Sequence, residues 1–160
     1  KRQAFAKCGP ADVIVVNGVE CEPLGGKDWA VLTQRPADVV AALGALREET
    51  GAKEVILAVK ERRVAALRDV IGGVRIVAVK DIYPAGDEAL LVYDVAGRRV
   101  PADGIPNDVG VIVTNAETVY HIGRALRGKV VTTTWITVGG AVPAPFAAEV
   151  PVGTLSLIRI

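Results

Sequence analysis

The chain has 160 residues, 51% of them hydrophobic and 23% charged, which provides for one domain core and the beginning of a second. Its 19 Lys and Arg nearly balance 18 Asp and Glu, so the net charge of +1 creates no field that would draw it to nucleic acid or anionic lipid. Apolar runs such as residues 13–16 and 39–43 fall far short of the roughly 20 residues that span a bilayer, so membrane association is expected only through partners.

Asp12-Val13-Ile14-Val15-Val16-Asn17-Gly18 reads as a strand buried on both faces that runs into a tight turn. Pro36 opens a helix to about Thr50, with Val39, Val40, Leu43 and Leu46 along one side and Gly51 as its stop. Residues 53–59 are strand-like, 62–71 helical with Gly72-Gly73 behind them, and 74–79 form a third strand. A short helix is expected over 86–95, directly after Tyr83-Pro84-Ala85, then a strand over 109–113 and a helix over 115–126. This alternation predicts a three-layer, Rossmann-like α/β domain with a mostly parallel sheet and right-handed crossovers. The character changes after Lys129: Thr and Val dominate residues 130–139, and Gly139-Gly140 and Pro143-Ala144-Pro145 punctuate the stretch beyond. The expected division is an α/β domain over 1–128 and the start of a small all-β or β-grasp unit over 129–160.

In open parallel sheets the ligand crevice lies beyond the carboxyl ends of the strands. Three strand ends are rich in polar groups. After the first come Asn17, Gly18, Glu20 and Glu22, an amide, a backbone that can approach a planar ligand, and two carboxylates. After the third come Tyr83, Gly86, Asp87 and Glu88, a rigid turn feeding a helix amino end. After the fourth come Thr114 and Asn115, a hydroxyl and an amide suited to a ribityl chain or phosphate. Each has a plainer explanation as a turn, a helix-dipole partner or a helix cap. Their convergence on one sheet edge favours a shared ligand.

The ordered series Asn17-Gly18-Val19-Glu20-Cys21-Glu22-Pro23, Tyr83-Pro84-Ala85-Gly86-Asp87-Glu88 and Asp108-Val109-Gly110-Val111-Ile112-Val113-Thr114-Asn115-Ala116-Glu117-Thr118 resembles the C subunit of the Rnf electron-transport complex and its cobalamin-reductase-like relatives. More distantly it is similar to the flavin subunit of respiratory NADH dehydrogenase. The resemblance covers nearly all of the chain. It implies FMN as cofactor, NADH as electron donor, and electrons passed singly to iron–sulfur clusters outside this sequence. It also implies that Asn17, Gly18, Glu20, Tyr83, Gly86, Asp87, Glu88, Thr114 and Asn115 contact the flavin, with Glu22 near the nicotinamide.

The resemblance further implies an NADH-linked, FMN-dependent oxidoreductase subunit whose partners are redox-complex subunits and a ferredoxin-like acceptor. Its expected place is the cytoplasm or the cytoplasmic face of the inner membrane. The tail from about Val130 would open an SLBB-type β-grasp domain. Thr114 stands where the family has the first of two Asn residues, and Val19 replaces an acidic residue of the respiratory version, as in the Rnf-like branch. With no Met, the sequence is expected to be a fragment, and the family's glycine-rich loop, placed before Lys7, is expected to be missing. A docking subunit without catalysis and a corrinoid reductase are the alternatives.

The remaining chemistry-bearing residues read as structural. Cys8 and Cys21 are too few for a cluster that takes four thiolates, and Cys21 between two glutamates is expected to pack rather than react. His121, the single histidine, lacks the companions a zinc site needs. Trp29 and Trp135 could stack on a flavin or base, but such aromatics more often fill the core, which is the expectation here.

Overall fold

A run of β-branched residues with no charge is stable at the centre of a sheet covered on both faces. Val13–Gly18 (β1) lies there, flanked by Glu54–Lys60 (β2) and Val111–Asn115 (β4), with Arg75–Val79 (β3) outside β2. The order β3-β2-β1-β4 is parallel throughout, with Val13 beside Glu54 on one side and Val111 on the other. The computed structural model describes residues 11–22 and 24–154.

The helices follow from local signals. Pro36–Thr50 (α2) has Pro at its first position and ends on Gly51 at φ +70°, a left-handed stop that suits glycine. It is preceded by Lys27–Gln34 (α1), a helix absent from the elements expected of the sequence. The expected 62–71 helix is shorter: a 3₁₀ turn, Glu61–Arg63, leads into Val64–Arg68 (α3). Glu88–Ala96 (α4) is capped by Asp87, whose carboxylate accepts the N–H groups of Ala89 and Leu90. The fourth strand begins two residues later than expected because Pro106–Val109 forms a 3₁₀ turn ahead of it. Ala116–Leu126 (α5) completes the α/β part, and Thr133–Val138 (β5) pairs antiparallel with Phe146–Pro151 (β6) in a separate two-stranded sheet.

Alternation along the strands divides the core in two. Ile14, Val16, Leu57 and Ile112 face a layer built from α1, α2, α3 and α5, and Trp135 of the hairpin joins that layer. On this side α2 and α5 meet backbone to backbone at Gly123, where any Cβ would overlap the Asp38 carbonyl. Val13, Val15, Ile56, Ala58 and Val111 face the other way, where one helix, α4, covers them with Leu91, Val92 and Val95. One face is therefore thick and the other thin. Among the described residues no helix is long and apolar enough to cross a membrane.

Candidate functional site

The carboxyl ends of β1 and β4 bring Asn17 and Asn115 side by side in register. Both share the parity of Val13, Val15 and Val111, which places them on the thin face, beside the turn that leads into α4. Thr114 has the opposite parity and is buried on the thick face, so it does not share the rim with Asn115. The predicted site residues thus separate into those that build the rim and those that stand on it.

Asn17, Gly18, Glu20 and Gly86 build it. The Asn17 amide donates to the Gly86 carbonyl at 2.9 Å while its oxygen accepts the Val19 N–H at 3.1 Å, tying the end of β1 to the turn before α4. The Gly86 N–H donates to the Cys21 sulfur at 3.0 Å, and a Cβ at position 86 would lie 2.7 Å from that sulfur and push it aside. Cys21 is therefore a packing partner of the turn. At Gly18 a Cβ would sit 3.0 Å from Leu32 and 3.1 Å from Val59, which makes this glycine a contact between β1 and α1. Glu20, at φ +53°, turns its side chain inward: one carboxylate oxygen accepts the Asp28 N–H at 2.9 Å and the other pairs with Arg63. With both oxygens engaged inside the protein, Glu20 shapes the rim from beneath.

Glu22, Tyr83, Asp87, Glu88 and Asn115 stand on it. All five are exposed, Tyr83 to 81%. Asp87 is engaged as the cap of α4. Asn115 occupies the cap position of α5 yet makes no capping bond with its side chain, leaving that amide directed to the rim. The capping acceptor is instead Asp28, whose carboxylate takes the Glu117 N–H at 3.2 Å from another element.

Asp28, Arg63 and Glu117 form an underlayer that sequence reasoning did not single out. Burial, reinforced by the neighbouring Glu20 charge, pushes the Asp28 carboxyl up to about 6. Glu117 accepts from Trp135 N–H at 2.7 Å, Thr134 hydroxyl at 2.8 Å and Lys27 at 3.1 Å. Burial would raise its carboxyl, and these three donors outweigh that and hold it below its ordinary value. Arg63 lies 5.1 Å over the Trp29 ring, so this tryptophan braces the ion pair while Trp135 fills the core. His121 is 3.6 Å from Glu117 on α5, a helix-packing position. Among the described residues no group of His, Cys, Asp and Glu could hold a metal ion. Cys8 and Pro23 lie outside the described residues.

The donor set on the rim matches a flavin nucleotide in its ring and sugar portions. An unengaged amide and carboxylates can bond ribityl hydroxyls and ring N–H, and Tyr83 offers an exposed aromatic face. No cation belongs to this set, so these residues fit the sugar and ring and not the phosphate.

Comparison with known proteins identifies the family and the fold. The family described as the Nuo51 FMN-binding domain matches residues 2–124. Cobalamin reductase PduS of Salmonella typhimurium is 38% identical over 89% of the chain and 33% of its own length. The C subunit of the ion-translocating oxidoreductase complex of Pseudomonas aeruginosa is 33% identical over 88% of the chain and 19% of its own length. The chain thus spans a third or less of these relatives. An NAD+-reducing NiFe hydrogenase in its reduced state shares the fold, with a TM-score of 0.72 at 22% identity over 96% of the chain and 33% of the hydrogenase chain.

Proposed function

The chain belongs to the Nuo51 FMN-binding domain family, and on that premise we propose that it is the flavin-holding module of an NADH-linked electron-transfer protein. The observation that carries this reading is the pairing of Asn17 with Asn115 at the carboxyl ends of adjacent strands, on the thin face and against the Gly86 turn. That is where open parallel sheets take nucleotides.

Bound FMN supplies hydride acceptance and single-electron release; the protein's task is to hold it, orient it and exclude water. Asn17, Gly86 and Cys21 fix the turn that would support the ring. Asn115 would bond the ribityl chain, and Tyr83 would offer its exposed ring to the flavin. Glu22 and Glu88 would stand near the nicotinamide, and their charge would act on the ring. Glu20 and Thr114 support the rim from within. Iron–sulfur clusters and a ferredoxin-like acceptor belong to other sequence or to other subunits of a redox complex. Residues 1–128 form the flavin domain, and the hairpin after Lys129 opens a β-grasp unit, a division supported by its separate antiparallel sheet.

A corrinoid-reducing role is the second reading, favoured by the 38% identity to a cobalamin reductase along 89% of the chain. The full-length protein, titrated with FMN and followed by flavin fluorescence and then by bleaching with NADH, tests the first part. Quenching and bleaching are expected. Absence of both would overturn the flavin reading in favour of a docking role, and cob(III)alamin reduction by the NADH-treated protein would select the second reading.

A further inference from the structure

We propose that the cavity between α2, α5 and β6 binds a compact oxyanion of the phosphate class. It lies on the thick face, along α5 and away from the rim, and the inference is independent of the flavin reading. Its volume is about 230 Å³, and Arg35, Arg124, Arg127 and Lys129 line it together with Asp38, Glu149 and Tyr120. Two carboxylates against four cations leave an excess of two positive charges in one small concavity, a repulsive arrangement that a bound dianion neutralises.

The hydrogen bonds already made leave most donors unused. Each guanidinium carries five N–H groups. Arg35 bonds Glu149 through one terminal nitrogen at 3.2 Å. Arg124 uses one terminal nitrogen alone, for Glu149 at 3.0 Å, the Thr133 hydroxyl at 2.6 Å and the Tyr120 oxygen at 3.4 Å. Arg127 pairs with Asp38 through one terminal nitrogen. Lys129 is exposed and makes no ion pair among the described residues.

Glu149 shows what this cradle does to an anion. One of its oxygens accepts from Tyr120 at 2.7 Å, Thr133 at 2.6 Å and Arg124 at 3.0 Å. Burial would raise its carboxyl, but donation from Thr133, Tyr120 and Arg35 holds it below the ordinary value. The protein's own carboxylate thus occupies the inner part of an oxyanion site, and Arg127, Lys129 and the spare nitrogens of Arg35 form an outer part of matching chemistry. A phosphate there would bridge the start of α2, the end of α5 and the hairpin.

Isothermal titration of the full-length protein with inorganic phosphate, at constant ionic strength maintained with chloride, tests the proposal. A single site is expected, weakened about tenfold by either Lys129→Gln or Arg127→Gln, the loss of one charge-assisted contact. Lys129 is exposed and makes no ion pair among the described residues, so that variant stays folded even where loss of the Arg127–Asp38 pair costs the other some stability, and Lys53→Gln on another part of the surface leaves the affinity unchanged. No phosphate heat in the wild type, or equal affinity in the Lys129→Gln and Arg127→Gln variants and the wild type, overturns it. FMN binding measured on the same samples reads the flavin site separately.

Discussion

The two faces of the sheet solve different problems with the same residue types. On the thick face, carboxylates are buried or half-buried and bonded: Glu20 to Arg63 and the Asp28 N–H, Asp28 to α5, Glu117 to the hairpin. On the thin face, Glu22, Glu88 and Asn115 remain exposed beside a single helix. The difference teaches that the open rim lies where a single helix covers the sheet, and that it is tied from both sides, by the Asn17–Gly86 and Gly86–Cys21 bonds on the thin face and by the Glu20–Arg63 pair beneath.

The largest test of this contrast is Arg63→Ala. It strands the buried Glu20 carboxylate and is expected to cost about 4 kcal/mol in urea unfolding, whereas an exposed pair of the same type would cost little. Gly123→Ala follows. It forces a methyl group into the Asp38 backbone where α2 and α5 touch, with an expected loss of about 3 kcal/mol and a lowered melting temperature. A melting temperature unchanged by this substitution would show that the thick layer is loosely packed.

Asp28→Asn sharpens the comparison through pH. The folded protein holds the Asp28 proton more tightly than the unfolded chain, with a value of about 6 against the ordinary 3.8. The stability from this group is therefore fully present below about 3.8 and is lost as pH rises through about 6. The asparagine variant should match the wild type near pH 4 and exceed it by about 2 kcal/mol at neutral pH. Denaturation curves across that range, taken as a difference between the two proteins, isolate the effect from Glu117 and Glu149, whose lowered carboxyls act in the opposite sense. The smallest structural effect is expected on the thin face: Asn115→Ala should change stability by less than about 0.5 kcal/mol while weakening FMN binding about tenfold. A large stability loss there would erase the distinction between rim and support.

Much of the fold was legible because its parallel strands are short apolar runs rich in Val and Ile and its helices begin at Pro36 and after Asp87 and stop at Gly51 and Gly97. α1 escaped because Gly26 offers no side chain to cap it and Pro36 draws attention as a later start. At the site, the motif residues were readable but their orientations were not. Thr114 and Asn115 are adjacent letters, yet strand alternation sends them to opposite faces. Glu20 reads as a ligand because its partner Arg63 is distant in sequence and nothing local announces the pair. The Asp28 cap on α5 is hidden for the same reason. Local chemistry marked the right strand ends, and only tertiary pairing decides which groups face outward.

The strand order has a consequence for how the chain reaches this state. β1 precedes the other described strands in sequence and is a central one in space, and one of its two edges waits for β4, pairing Val13 with Val111. During synthesis β2 and β3 can dock early, but the other edge of β1 stays open until the ribosome has released residues beyond Asn115. Asn17 and Asn115 meet only then, so the rim is the last part of the sheet to be assembled. Closure across so long a separation is entropically slow. Refolding followed at the rim should lag behind refolding followed at β2.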